Sequence, residues 1–401
     1  MDDAVLNSLP IAGASVECVE TYTAFRQLKN DWNPLLMQSY RPTPFLTWEW
    51  VSTWWDHFGA DSRLFVLVVR NSNGQTIGIA PLRIALRRQW GIFPIRRIEF
   101  LGYQGSKVCA DHLDFLTQVP YRDVITNFLL EEIMRRREDW DALELADLAE
   151  ESLIPELLSQ MCSDCHIKRM SGARQQCPYI ELPDHWSSLL ESLKKNHRSN
   201  VKRKREKLFK NFRVSFERDC LPQIVIPRMQ ILEGLHGSAR NRKGEMGNFR
   251  LKEYSDFHRA VAKQMANAGF LYLAQLNCDE IPVAALYGFH LGGRLFGYQT
   301  GFSSSWAPHG VGAVLQAMVL EDAIEHLHAI EYDFLRGNEE YKYTWTSRER
   351  QTNTELVWGK SVRGRLAEGK FIALRHLSLV RSKIRGLRTL FSSAAKFNVS
   401  S

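Results

Sequence analysis

The residues best placed to do chemistry lie between Gly269 and Lys342. Gly310-Val311-Gly312-Ala313 opens an apolar-periodic segment expected to run as a helix to about Ala329. Three strand-like runs precede it: Phe270–Asn277, Ile281–His290 and Arg294–Phe302, with Ser303–His309 as a loop. A short apolar strand, Ile330–Leu335, follows. A glycine-bearing loop that enters a helix leaves amide N–H groups unpaired at the positive end of the helix dipole, where a phosphate or pyrophosphate is held. The plainer role is a helix-start turn. A meander feeding such a helix is nevertheless the layout expected of a site for a phosphorylated acyl carrier.

A second group is cationic. Lys195, Arg198, Lys202 and Arg205 recur at three- and four-residue spacing, which sets them in one stripe of a helix expected over Lys194–Lys210. Residues 194–213, Arg203 among them, hold ten Lys/Arg against one acid, Glu206. So many like charges repel one another unless a polyanion is near. The partners expected are the phosphates of a carrier, a lipid- or nucleotide-linked substrate, or tRNA. Only Phe209 and Phe212 lie close enough to stack bases, so backbone attraction would be salt-sensitive and sequence-blind. A third group, Cys162-Ser163-Asp164-Cys165-His166, has the spacing of a haem attachment, and Cys177 with His185 would complete a zinc set. The spacing is irregular for zinc and the N-terminus lacks an export signal, so ordinary thiols and no metal are expected.

These groups need a scaffold, and 401 residues with 44% hydrophobic content suffice for two domains and a tail. No run of about 18 apolar residues occurs, and the seven cysteines are scattered and odd in number. The cytoplasm is the expected location, with the tail as a means of peripheral attachment to the inner membrane. The net charge of +7 is uneven, because residues 360–396 also hold ten Lys/Arg against one acid, Glu368. The body between the basic segments is therefore mildly acidic.

In the first half, Arg63–Val69 and Gln75–Leu86 flank Asn73-Gly74, a hairpin signal. Arg97–Leu101 and His112–Leu116 read as shorter strands, Arg122–Trp140 as a helix and Asp141–Leu148 as a strand. Phe45–Phe58, with Trp48, Trp50, Trp54 and Trp55, reads as the packing surface of a helix rather than a ligand platform. The second half repeats the order: helix, strand at Phe212–Glu217, helical segments, meander, helix and strand. The expectation is an α/β protein with mixed sheets built from two copies of one unit, residues 15–161 and 178–360, joined around Cys162–Pro178. From Gly369, Ala373, Leu377, Val380, Ile384, Leu387 and Phe391 recur at helical spacing among arginines, so 366–401 is expected to be a basic amphipathic helix. It would dock on the body or on an anionic membrane surface.

The second half resembles the CelD-type acetyltransferases of cellulose and exopolysaccharide synthesis, relatives of the FemAB aminoacyltransferases within the GNAT superfamily. The resemblance rests on Pro308-His309-Gly310-Val311-Gly312 opening a helix, and on Asp333-Phe334-Leu335-Arg336-Gly337-Asn338-Glu339-Glu340-Tyr341-Lys342 with Trp345. The superfamily's phosphate loop begins with Arg or Gln, which this segment lacks, but its Gly-x-Gly/Ala part is kept. The resemblance implies two tandem GNAT-like domains and transfer of an acyl group, such as acetyl, from acyl-CoA to an amine of a sugar or polysaccharide precursor. It leaves open an aminoacyl-tRNA-dependent transferase, or a non-catalytic module that binds membrane or nucleic acid through 360–396.

By the same resemblance, carrier pantetheine would lie between Phe296–Phe302 and Ile330–Leu335, with the phosphates on His309, Gly310, Val311, Gly312 and Ala313. His309 could instead act as a base. Glu339 or Glu340 would accept the amine's proton or be solvated loop carboxylates, and Tyr341 would donate a proton to the leaving thiolate or pack beside Tyr343 and Trp345. Asp333 would point into the cleft or cap a turn, and Tyr298 faces the same choice. Lys342 would neutralise an acidic substrate or lie at the surface. Lys195, Arg198 and Arg203 would attract phosphate.

Overall fold

The computed structural model describes residues 13–89, 93–105, 108–242, 244 and 247–373. The first half runs β1 (Ser15–Val19), α1 (Tyr22–Gln27), α2 (Lys29–Met37), α3 (Trp48–Phe58), β2 (Ser62–Leu64), β3 (Val66–Arg70), β4 (Thr76–Ala80), β5 (Leu82–Gln89), β6 (Phe93–Phe100), β7 (Leu116–Thr117), α4 (Arg122–Arg135), β8 (Ala142–Leu148) and α5 (Ile154–Asp164). Local chemistry explains several of these. The β3–β4 turn has Gly74 at φ 77°, and the Asn71 side-chain oxygen accepts from the amides of Asn73 and Gln75. Thr47 caps α3, accepting from the Trp50 amide. Trp48, Trp50 and Trp54 are buried, so the aromatic stretch is a packing surface. Two first-half expectations change. The helix stops at Arg135 rather than Trp140, and His112, at φ 58°, is too tightly turned to begin a strand.

The second half runs β9 (Arg169–Ser171), β10 (Gln175–Glu181), α6 (Trp186–Ser192), α7 (Lys195–Asn211), β11 (Val214–Arg218), α8 (Val225–Arg242), α9 (Lys252–Asn267), β12 (Leu271–Cys278), β13 (Ile281–Leu291), β14 (Arg294–Phe302), α10 (Val311–Glu325), β15 (Glu331–Asp333) and β16 (Glu349–Trp358). One large sheet orders its strands β11-β12-β13-β14-β15-β10-β16-β8-β6-β5-β2, with β9 on β16, and a smaller sheet is ordered β1-β3-β4-β7.

The doubling expected from element order is visible in the pairing. In each half two parallel strands are joined through a helix: β6 and β8 by α4, β14 and β15 by α10. The next strand along each is exchanged. β10 lies against β15, whereas β16, from the chain's far end, lies against β8. Neither β10 nor β16 is apparent from sequence periodicity. The fold is thus mixed α/β, with the same strand–helix–strand unit in each half. One core spans both halves and includes Trp32, Trp50, Trp54, Phe257 and Tyr287; a second fills the space beneath α7 and α10.

A helix over 362–373 follows β16. The remainder of the expected basic helix, Leu377 through Phe391 included, lies outside the described residues. Cys162 is buried and Cys165 exposed, and neither is in a disulfide. Among the described residues no helix is long and apolar enough to cross a membrane.

Candidate active site

The three-residue β15 pairs along its whole length with the beginning of β14, through Arg294↔Glu331, Leu295↔Tyr332 and Phe296↔Asp333. Beyond that the two chains separate. β14 continues to Phe302 against β13 alone, and carries a bulge: Tyr287 opposes Gln299 and Gly288 opposes Gly297, leaving Tyr298 unmatched. The chain after β15 bends away at Leu335 (φ 56°) and Gly337 (φ 121°). The result is a slot at the carboxyl ends of two parallel strands, where open α/β sheets bind ligands. One rim is the free backbone edge of β14 from Gly297 to Phe302.

Two glycines on that edge admit close neighbours. A Cβ on Gly297 would meet the Tyr332 hydroxyl oxygen at 2.2 Å, and one on Gly301 would meet the His236 amide nitrogen of α8 at 2.4 Å. The His236 imidazole is pushed down to about 4 by burial and then by Arg240. Tyr298 turns into the core, where its hydroxyl donates to the Cys109 carbonyl at 3.1 Å and its ring packs on Phe45 and Trp50. Gln299 donates to the Tyr254 hydroxyl at 3.3 Å.

The loop into α10 ends at Gly310, whose left-handed conformation (φ 70°, ψ 27°) turns the chain into the helix. The amides of Ala313 and Val314 bond back to the Gly310 carbonyl, so those of Val311 and Gly312 head the helix. Val311 is buried, but Gly310, Gly312 and Ala313 are half-buried at the surface. A residue outside the sequence-based set joins them. The Lys204 side chain of α7 crosses Gly310 so closely that a Cβ there would meet its Cδ at 2.8 Å. Lys204 sits inside the basic run, but only the packing of α7 on α10 singles it out. His309 is built into an aromatic cluster with Phe212 (5.1 Å) and Trp306 (5.3 Å).

At the other end, Lys342 is buried. Its ammonium donates to the carbonyls of Leu335 (3.1 Å) and Arg336 (2.7 Å) and pairs with Glu339 at 2.9 Å. It braces the bend beside the slot and does not reach outward, which corrects both roles expected for it. Burial opposes ionisation of Glu339, but the Lys342 ammonium holds it below the usual carboxylate range. Tyr341 is half exposed, its ring 6.3 Å from Phe334, and its hydroxyl is pushed up by burial and then by Tyr332 and Glu339. Glu340 is exposed.

Asp333 is elsewhere. It points away from Tyr332 into a buried ionic network, 3.1 Å from His112 and 3.4 Å from Arg350. Arg350 also pairs with Glu331, and Arg336 bridges Asp111 (2.6 Å) and Asp147 (2.7 Å). This network ties the halves together. Neither Asp333 nor Tyr298 is free to face substrate. On α7, Lys195 and Arg203 are exposed, while Arg198 donates to the Glu191 carbonyl at 3.1 Å.

Comparison with known proteins agrees with this geometry. Residues 195–343 match the family model described as an acetyltransferase (GNAT) domain. A structure of FemX aligns with a TM-score of 0.56 at 11% identity, covering 84% of this chain and 96% of that one. A protein of unknown function from Bacteroides thetaiotaomicron aligns at 0.52 and 10% identity, covering 86% and 100%. The C-terminal domain of a putative lysylphosphatidylglycerol synthetase from Agrobacterium fabrum aligns at 0.50 and 10%, covering 87% and 97%. At such identities the likeness is one of fold. No curated protein matches in sequence. The matched segment contains α7, the meander, the Gly310 loop, α10 and the bend held by Lys342, so the slot belongs to a GNAT-type acetyltransferase domain and the chain is an acyltransferase.

Proposed function

We propose that the protein transfers an acyl group, such as acetyl, from acyl-CoA to the amine of a sugar or polysaccharide precursor. The observation that carries this reading is the pairing of a backbone-lined slot with a helix N-terminus overhung by Lys204. The amides of Val311 and Gly312 and the Lys204 ammonium would hold the diphosphate. Pantetheine would then extend between β14 and the 334–337 bend. Amides on the free edge of β14 would polarise the thioester carbonyl as the amine attacks, and confinement of both reactants would lower the barrier further. Glu339, ionised beside Lys342, would take the amine's proton directly or through water. Tyr341, protonated at neutral pH, would supply the proton to the departing thiolate. In this reading residues 178–360 form the donor domain and residues 15–161 its partner. The saccharide acceptor rests on the family resemblance alone.

Calorimetric titration with acetyl-CoA tests the proposal. Saturable binding that disappears in Gly312→Glu and Lys204→Glu supports it, because either carboxylate would repel phosphate. If wild type binds neither acetyl-CoA nor a longer acyl-CoA, the proposal is wrong. One observation favours a second donor, aminoacyl-tRNA: the outer face of α7 exposes Lys194, Lys195, Lys202, Arg203, Lys207 and Lys210. That reading requires tRNA to co-purify and to be lost when Lys195, Arg198 and Arg203 are reversed in charge.

A further inference from the structure

The slot beside β14 has a closed inner end. Pairing of β14 with β15 stops at Phe296↔Asp333, and the side chains just beyond that pair decide how deep a ligand can reach. On the face toward α10 the decisive one is Tyr332. It stands on β15 opposite Leu295, is 1% exposed, and packs its ring edge-on against Phe334 at 4.7 Å. Its far end crosses to the other strand. A Cβ on Gly297, the first β14 residue past the pairing, would meet the Tyr332 hydroxyl oxygen at 2.2 Å and its Cζ at 2.9 Å. The side chain is therefore a bar from β15 to β14, with the buried Gln316 of α10 as polar neighbour of its hydroxyl.

The opposite face is filled too. Phe296 and Leu335 belong to the core shared by the two halves, and Tyr298 packs against that core. Packing by itself calls neither for a hydroxyl in the interior nor for a glycine inside a strand, since the one costs desolvation and the other weakens the strand. Together they let an aromatic ring on one strand reach the backbone of the next.

A carrier bound as proposed above enters from the other end. Its diphosphate would sit on the Val311 and Gly312 amides, beyond the point where β14 ends at Phe302. From Phe302 back to Gly297 the strand is about 17 Å long, a length that an extended pantetheine arm spans. The thioester would come to rest beside Gly297. The acyl group, as the last segment of the arm, would point at the Tyr332 ring, where both faces are already packed.

We propose that Tyr332 sets the acyl length: its ring closes the inner end of the slot and restricts the donor to short acyl groups such as acetyl and propionyl, against longer chains. This rests on the acyl-CoA reading above and adds to it the residue that selects among donors.

The test is calorimetric titration of the full chain with CoA, acetyl-CoA and hexanoyl-CoA. Wild type should bind CoA and acetyl-CoA alike, and hexanoyl-CoA at least about tenfold more weakly, as extra methylenes forced into a packed interior require. Tyr332→Leu and Tyr332→Val keep an apolar group in the interior but end short of Gly297, and should lose that discrimination. Unchanged affinity for CoA in either variant shows that its fold and the phosphate end of the slot are intact. Wild type that binds acetyl-CoA and hexanoyl-CoA equally overturns the proposal and leaves the donor reading standing. So does a Leu or Val variant that holds CoA normally and still rejects hexanoyl-CoA. Wild type that binds none of the three overturns the donor reading itself.

Discussion

Lys204 and Gly310 occupy one another's space: the lysine's Cδ lies 2.8 Å from where a Cβ on the glycine would stand. The contact joins the basic helix α7 to the N-terminus of α10, and sets a positive charge beside the amides proposed to hold phosphate.

Lys204→Ala should therefore weaken acetyl-CoA binding by about tenfold, the worth of one partly exposed charge-assisted contact, and should flatten its salt dependence. Calorimetry at two ionic strengths reads both. An unchanged affinity would remove Lys204 from the site.

Gly301 predicts a loss of stability rather than of charge. A methyl there would meet α8 backbone, at 2.4 Å from the His236 amide nitrogen and 2.7 Å from the Leu235 carbonyl carbon. Gly301→Ala should cost about 1–3 kcal/mol, as overpacking does, measured by urea unfolding. A neutral variant would mean that α8 is free to shift along β14.

The buried pair of His112 and Asp333 predicts a pH window. Burial pulls His112 down, yet the Asp333 carboxylate outweighs it and leaves the imidazole above its usual 6.5. Burial likewise opposes Asp333, but His112 and Arg350 leave it below its usual 3.8. A raised histidine stabilises fully below 6.5 and loses that contribution as pH climbs through its folded value. A lowered aspartate stabilises fully above 3.8 and loses it as pH falls through its folded value. The Tm deficit of His112→Gln against wild type should thus be greatest between 3.8 and 6.5 and narrow in alkali. A deficit that grows in alkali would contradict the pairing.

Trp50 predicts cooperative coupling of the halves. It is fully buried, its indole N–H donates to the Gly102 carbonyl at 2.9 Å, and its ring packs on Phe257 and Phe289 from the other half. Trp50→Ala should cost about 3–5 kcal/mol in a single thermal transition. Two separated transitions in wild type would show that the shared core does not couple the halves.

Much of this was legible along the chain, where short-range patterns rule. The β12–β13–β14 meander, the Asn73-Gly74 hairpin and the Gly310 helix start all follow from propensity and turn chemistry within a few residues. The GNAT-like character at about 280–346 was legible as a resemblance of motifs, not from propensity. What hydrophobic period and spacing left undecided were contacts between distant segments. The exchange of β10 and β16, the crossing of Gly310 by Lys204, and the inward commitment of Asp333, Tyr298 and Lys342 depend on where the chain returns. Whether a polar residue serves a ligand or the fold turns on the partners beside it. Asp333 is a buried anchor only because His112 and Arg350, more than 200 and 17 positions away in sequence, come back to meet it.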